Sequence, residues 1–136
     1  WNRAPFGVLL TDNLSFQEVV MVKKIEQMKT EIREKMRGGN GSVELLHILN
    51  QDEMKGKVRL FAKVTLNPGS SIGQHDHVGE EEVYYILKGT AQVNDNGTLK
   101  TVCAGEVILT GDGAFHSIEN TGSEPLEFMA VIMLYA

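Results

Sequence analysis

The sequence has little of three features that would each point to a particular class of protein. Among 136 residues there is one cysteine, Cys103, which excludes an internal disulfide framework and makes a reducing cytoplasm the expected compartment. No apolar run approaches the roughly 20 residues that a membrane-spanning helix needs. Lys and Arg number 13 against 18 Asp and Glu, a net charge of −5 without a basic patch. We therefore expect neither nucleic acid nor an anionic membrane as a partner.

Glycine is abundant by contrast, with 14 residues spaced between short apolar runs. This spacing is typical of many short strands joined by tight turns, and the length suits one all-β domain with its own core. From residue 42 onwards we predict about nine strands, so that residues 42–136 form a barrel. They are expected at Val43–Asn50, Val58–Leu66, two positions flanking a turn in Gly69–Gly89, Thr90–Asn94, Leu99–Ala104, Val107–Thr110, Phe115–Glu119 and Leu126–Leu134.

The first 41 residues follow a different pattern. Trp1–Val20 holds the only Trp and no Lys, and it is either a leader or an arm that docks on the barrel. Residues 21–41 are predicted to form a helix, Lys24–Arg37, and a glycine-rich turn that ends it. The helix prediction depends on apolar residues at spacings of three and four: Ile25, Met28, Ile32 and Met36. An edge strand at Val22–Met28 is the alternative.

The stretch Gly69–Gly89 carries the residues with the clearest chemistry. His75 and His77 are two apart, so a strand directs both imidazoles to one face. Glu82 lies an odd number of positions further on, and we expect a hairpin around Val78–Glu81 to fold it back beside them. Glu82 is preferred as the third ligand because it immediately precedes an apolar strand. Glu80 and Glu81 are interpreted as solvated turn residues, with Glu81 as the alternative ligand if the loop is one residue shorter.

Two spaced motifs resemble the signatures of the cupin superfamily. In the first motif, five residues separate Gly69 from His75, one separates His75 from His77, four separate His77 from Glu82, and six separate Glu82 from Gly89. In the second motif, five residues separate Gly105 from Gly111, one separates Gly111 from Gly113, two separate Gly113 from His116, and three separate His116 from Asn120. Gly111 stands where the family usually has a proline, and it is expected to loosen a turn. The resemblance covers residues 42–136, and the chain is similar to the small single-domain, oxalate-decarboxylase-like members of the superfamily.

This resemblance implies a jelly-roll β-barrel with one divalent metal held by His75, His77, Glu82 and His116. Three imidazoles and a carboxylate suit Mn, Fe, Co, Ni or Zn. Four protein ligands around a six-coordinate ion would leave two positions for a small molecule, unlike the closed, thiolate-rich sites of structural zinc. The resemblance also implies a homodimer, as is common among short cupins.

Other residues have predicted secondary roles. Tyr84 and Ile86 share the face of Glu82, so Tyr84 either offers a hydroxyl to a ligand, as a tentative catalytic residue, or is a wall residue of the barrel. The outward set Val83, Tyr85 and Leu87 is too apolar for bare solvent and agrees with a covered sheet. Roles assigned on the residues alone are support for a turn (Asn120), a small core residue (Cys103) and a structural histidine (His47). Arg59 and Lys63 share one face of a strand, which is interpreted as a solvated or interface face. The alternative is that these cations lie beside the metal and help to hold an anionic substrate.

Function is less determined than fold, because such a fold hosts many chemistries. One hypothesis is an enzyme, a decarboxylase or dioxygenase, that transforms a small organic acid or oxygenated substrate at the metal. The other is a module that binds an acid or a sugar without turnover. Sugar-phosphate isomerisation would require clustered Lys or Arg in the cavity, and the sequence shows none next to the motifs.

Overall fold

A computed structural model of the protein describes residues 20–136 as two β-sheets. Within these residues no helix has the length and apolar character needed to cross a membrane. Most of Trp1–Val20, interpreted as a leader or an arm, lies outside the described residues. The strands are β1 Lys29–Glu34, β2 Ser42–Leu49, β3 Val58–Leu66, β4 Ser71–Asp76, β5 Glu80–Lys88, β6 Thr90–Asp95, β7 Thr98–Cys103, β8 Val107–Gly111, β9 Phe115–Asn120 and β10 Leu126–Leu134.

The two sheets enclose one core, as the resemblance implied. The six-stranded sheet has the order β1-β2-β3-β10-β5-β8 and the four-stranded sheet the order β4-β9-β6-β7, with every pairing antiparallel. Alternate residues of the central strands β5 and β10 face inward, so that Ile86 and Phe128 are fully buried between the sheets. The jelly-roll prediction is confirmed, although the six-stranded sheet already begins with β1, before residue 42. The strand ends differ by at most one residue from the expected ones, except that β5 begins at Glu80, inside the predicted turn.

The predicted helix at Lys24–Arg37 is wrong. Ile25–Gln27 forms a single 3₁₀ turn, and β1 pairs along its whole length with β2 as an edge strand. The alternative edge strand, Val22–Met28, was placed too early in the chain. The helical spacing was coincidental, because Ile25 and Ile32 are exposed and only Met36 packs against the core. Backbone pairing with β2 therefore prevails over a weak apolar periodicity.

The predicted hairpin around Val78–Glu81 is also wrong, although its consequence is correct. β4 and β5 belong to different sheets, and the chain crosses from one to the other between Asp76 and Glu80. His77 lies in this crossing, where its N–H donates to the carbonyl of Ala114 at 3.0 Å and its carbonyl accepts from Gly113 at 2.8 Å. Glu82 thus meets the histidines across the space between two facing sheets.

Candidate metal centre

Four side chains from three strands and the β4–β5 crossing converge on one point. His75 in β4 is the register partner of His116 in β9, so both rings lie on the same face of the four-stranded sheet. One ligand atom from each of His75, His77, Glu82 and His116 lies within 4.8 Å of the others. All four predicted metal ligands are therefore brought together, and we call them the metal cluster.

The spacing within the cluster is that of ligands around an ion. His116 Nε2 lies 3.0 Å from His75 Nε2 and 3.1 Å from His77 Nε2. Glu82 Oε1 lies 3.0 Å from His116 Nε2, 3.1 Å from His77 Nε2 and 3.8 Å from His75 Nε2. Two ligands about 2.1 Å from one ion and at right angles are about 3.0 Å apart. The donor atoms could therefore share a single cation.

Hydrogen bonds behind the cluster set the tautomers of two histidines. His75 Nδ1 is 2.8 Å from the carbonyl oxygen of Gly73, and His77 Nδ1 is 2.5 Å from Glu80 Oε2. Because a carbonyl and a carboxylate only accept, each Nδ1 carries the proton and donates it. The Nε2 of each neutral ring then presents its lone pair to the cluster, as metal-bound histidines do. Glu80, interpreted from the sequence as a solvated turn residue, instead orients His77.

Two polar atoms of the cluster residues are buried without a hydrogen-bond partner among the described residues. They are Glu82 Oε1 and His116 Nδ1, in side chains that are 3% and 1% exposed. An unsatisfied buried polar atom costs about 1–3 kcal/mol, and more when it is charged. A divalent cation would satisfy Glu82 Oε1 and all three Nε2 lone pairs together. The residues present therefore fit a mononuclear transition-metal site.

Charge in the cluster supports the same conclusion. Burial alone would raise the pKa of Glu82, but the three surrounding imidazoles hold it well below its usual range. Burial lowers the pKa of His116, whereas for His77 the same effect is outweighed by Glu82 and Glu80, which raise its pKa. The site thus contains an ionised carboxylate in a dry environment, where its negative charge favours a cation.

Tyr84 lies against the cluster as a wall residue. Its ring stacks on His116, with centroids 4.7 Å apart and planes at 15°, and packs on Phe128 at 4.6 Å. It is 2% exposed, and burial, reinforced by the charge of Glu82, raises its pKa well above the usual value. The hydroxyl therefore stays protonated at neutral pH. A catalytic role for Tyr84 remains a proposal.

A cavity of about 150 Å³ opens onto the cluster and is also lined by three arginines. We call Arg33, Arg37 and Arg59 the arginine group. The expectation of no clustered cations at the site is wrong, because Arg33 comes from β1 and Arg37 from the turn Met36–Gly38. Because both arginines lie in the segment predicted to be a helix, neither was assigned to the site. No signal in residues 21–41 linked either arginine to a site formed some forty residues later.

Arg59 reaches the cavity through a β-bulge. The register between β10 and β3 shifts where Ile132 pairs with Leu60 and Met133 pairs with Val58, so that Arg59 is the extra residue. Bulges near functional sites redirect a side chain in this way. Arg59 then donates to both carboxylate oxygens of Glu80, at 2.8 and 2.7 Å. The expected solvated or interface face is therefore wrong for Arg59, whereas Lys63 stays outside the cavity lining and pairs with Glu127 at 3.9 Å.

The remaining sequence interpretations have mixed outcomes. Asn120 is buried and donates to the carbonyls of Leu66 and Glu124, which confirms its supporting role. The core assignment of Cys103 is wrong, because β7 is an edge strand and the thiol is exposed. His47 lines the cavity and lies 2.8 Å from Glu31. Gly111 does not loosen a turn, since it pairs with Glu81 and a Cβ there would come within 2.8 Å of the Tyr135 hydroxyl.

Comparisons with known proteins agree with this geometry. The chain is 49% identical over 114 residues to an oxalate-binding protein of Thermotoga maritima, covering 84% of this chain and 94% of that one. A crystal structure described as a predicted oxalate decarboxylase from Thermotoga maritima superposes with a TM-score of 0.80 at 49% identity, covering 84% of this chain and 99% of that one.

A more distant structure extends the likeness in fold alone. A polyketide cyclase from Streptomyces resistomycificus has a TM-score of 0.68 at 19% identity, covering 85% of this chain and 81% of that one. Residues 62–132, which include the whole metal cluster, match the Cupin domain family. The chain belongs to the cupin family.

Proposed function

We propose that the protein holds one divalent transition metal at His75, His77, Glu82 and His116 and uses it to capture a small organic acid. The observation that carries the proposal is the cavity itself, which joins a metal cluster to three arginines in a chain of net charge −5. Positive charge concentrated in a concave site of an acidic protein favours an anionic ligand. The name of the Thermotoga oxalate-binding protein supports the same ligand class.

The size of the cavity favours a ligand of few atoms. Its volume of about 150 Å³ lies below the roughly 300–1,000 Å³ of pockets for drug-sized molecules. A bound metal would supply Lewis-acid attraction for carboxylate oxygens. The chain itself orients His75 and His77 through Gly73 and Glu80, and excludes water from Glu82 and Tyr84 by burial. Mn, Fe, Co, Ni and Zn are the candidate ions.

Capture without turnover is favoured over decarboxylation. Glu82 is the only carboxyl group among the described residues that line the cavity, and it belongs to the metal cluster. No free carboxylic acid is therefore available there to transfer a proton. One observation favours an enzyme instead, since Tyr84 lines the cavity and stacks on His116, which makes its hydroxyl the candidate proton donor. Carbon dioxide release or dioxygen consumption with a bound acid would establish decarboxylase or dioxygenase activity, and its loss in Tyr84→Phe would assign the donor.

The capture proposal is tested by melting the protein with oxalate, with and without metal. A ligand that binds only the folded state at 100 times its Kd stabilises that state by about 2.7 kcal/mol. We expect a rise of several degrees in Tm for the metal-loaded protein, none for the metal-free protein, and a smaller rise with acetate, which has one carboxylate. Equal shifts with and without metal would contradict the proposal and indicate an unrelated anion site.

We also propose a homodimer that forms through the outer face of the six-stranded sheet. Register places Tyr85 beside Val107 and Met129, and Val83 beside Leu109, so that apolar side chains continue across three strands. Val107 and Leu109 are 62% and 61% exposed in the single chain. A second copy would cover this face. Light scattering should show a dimer that Leu109→Glu dissociates, whereas Leu99→Glu, on the other sheet, should leave it intact.

We propose that the protein is located in the cytoplasm. Cys103 is an exposed free thiol, which suits the reducing cytoplasm. Fractionation of the expressing cells would test this location.

A further inference from the structure

Arg37 has an unusual backbone conformation beside the cavity. Its φ is +56°, in the left-handed region that residues other than glycine seldom adopt, and Lys35 in the same turn has a φ of +49°. Such conformations are energetically unfavourable and persist only where the surrounding structure holds them. Arg37 lines the cavity, whereas Lys35 does not. The turn is therefore energetically unfavourable, and it places the guanidinium group of Arg37 at the cavity.

The surrounding structure that holds this turn is a close backbone crossing with β4. A Cβ on Gly73 would overlap the carbonyl oxygen of Arg37 and lie 2.9 Å from the nitrogen of Gly39. A Cβ on Gly39 would likewise overlap the carbonyl oxygen of Ser71. Only glycine permits both approaches. The backbone of Arg37 is thus packed directly on the strand that carries His75.

Gly73 links this crossing to the metal cluster. Its carbonyl oxygen accepts the hydrogen bond from His75 Nδ1 at 2.8 Å, while its Cα faces the Arg37 carbonyl. One residue therefore sets the position of a metal ligand and of the turn that carries Arg37. Their relative placement depends on a single rigid contact rather than on a long loop.

The three arginines differ in what already binds them. Arg59 donates to both oxygens of Glu80, and Arg33 donates to both oxygens of Glu31, at 2.9 and 3.3 Å. Among residues 20–136, Arg37 has neither an ion pair nor a side-chain hydrogen bond. Its planar fork matches a carboxylate in two parallel hydrogen bonds. Arg37 is therefore the member of the arginine group with its donors free for a ligand.

We propose that Arg37 is a specificity-determining residue that binds the second anionic group of a ligand whose first carboxylate lies at the metal. The ligand class is then a small acid with two anionic groups, in preference to a monoacid of similar shape. This inference rests on the proposed metal-dependent capture of an acid.

The test compares malate with 2-hydroxybutyrate. Both present the same 2-hydroxycarboxylate to a metal, and only malate carries a distal carboxylate. Calorimetric titration of the metal-loaded wild type should show tighter binding of malate. Arg37→Asn removes the charge and keeps a residue that tolerates positive φ. We expect it to reduce the preference for malate about fivefold or more, with the affinity for 2-hydroxybutyrate unchanged.

Two further variants make the result specific. Lys35→Asn removes the same charge from the same turn at a similar φ, outside the cavity lining, and should retain the full preference. Arg37→Lys keeps the charge and loses the planar fork, so it should give an intermediate preference. Metal content and Tm are measured for each variant to confirm that the fold and the cluster are intact.

The outcomes separate this inference from the function on which it rests. If the metal-loaded wild type binds neither acid and its Tm does not rise with oxalate, the proposed capture is wrong and the role of Arg37 is wrong with it. If it responds to oxalate but binds neither four-carbon acid, the capture stands and the role of Arg37 is overturned. If both acids bind and the preference is equal in wild type and Arg37→Asn, the capture stands and the role of Arg37 is overturned. An equal loss of malate preference in Lys35→Asn would also overturn the role of Arg37, because the effect would then come from the overall charge of the turn.

Discussion

The metal cluster and the arginine group line the same cavity, yet they are built in different ways. The cluster is largely buried and comes from three paired strands of two facing sheets and the crossing between β4 and β5, with every imidazole within hydrogen-bonding distance of another group. The arginine group is partly exposed and comes from an edge strand, a strained turn and a β-bulge. Strand pairing thus positions three of the four side chains of the metal cluster, whereas irregular backbone positions the arginine group.

The largest effect is expected from removing a ligand of the cluster. His77→Ala deletes one imidazole and the contact to Glu80, and we expect it to lose most of its metal at neutral pH because three ligands remain. Metal analysis of the purified protein measures this directly. His47→Ala is the matched control, since His47 lines the cavity outside the cluster and its variant should keep one ion per chain. One ion per chain in His77→Ala would show that the site is assigned wrongly.

A smaller effect is expected at the contact that joins the two parts of the cavity. Gly73→Ala places a methyl group on the Arg37 carbonyl, and backbone overlap of this kind costs about 1–3 kcal/mol. The Tm should fall by several degrees, and metal affinity should weaken because the Gly73 carbonyl no longer aligns His75. Gly56→Ala is the control, because nothing lies within 4 Å of a Cβ there. An unchanged Tm in Gly73→Ala would mean that the crossing is not rigid.

The smallest effect is expected at the edge strand, and it depends on pH. Hydrogen bonds from Arg33, and then from His47, lower the pKa of Glu31 from 4.5 to about 2. A depressed carboxyl pKa stabilises the fold above the unfolded-state pKa, and this contribution is lost as pH falls through the folded-state value. Glu31→Gln should therefore lower Tm slightly at pH 7, since a partly exposed ion pair contributes under about 1 kcal/mol.

The difference in Tm between wild type and Glu31→Gln should become smaller as the pH falls from 4.5 to 2, as thermal melts at several pH values would show. Glu44→Gln, on the neighbouring strand, is the control, because Glu44 forms no ion pair among the described residues. A Tm difference that is constant with pH would contradict the hydrogen bonds of Glu31 with Arg33 and His47.

The metal cluster could be predicted from the sequence because most of its residues are close together in the chain and are of types that bind metals. His75, His77 and Glu82 lie within eight residues, and a barrel with facing sheets brings His116 to them. The hairpin error did not matter, since either topology places Glu82 beside the histidines. The strand alternation in β5 was likewise sufficient to separate Glu82 and Tyr84 from the outward Tyr85.

The arginine group could not be predicted because its positions depend on tertiary contacts. Arg59 follows a strict alternation in the sequence, and only a register shift against β10 turns it toward the cavity. Arg37 requires a left-handed turn held by Gly39 and Gly73, which are 34 residues apart in the chain. The chance apolar spacing of Ile25, Met28 and Ile32 favoured a helix where backbone pairing with β2 makes a strand.

The most direct test of the account is a crystal structure of the metal-loaded protein with oxalate, in which anomalous scattering locates the ion. We predict one ion about 2.1 Å from the Nε2 atoms of His75, His77 and His116 and from a carboxylate oxygen of Glu82. Oxalate should occupy two further positions on the side of the cavity, its outer oxygens directed toward the arginine group. An ion enclosed entirely by protein ligands, or located away from this cluster, would contradict the account.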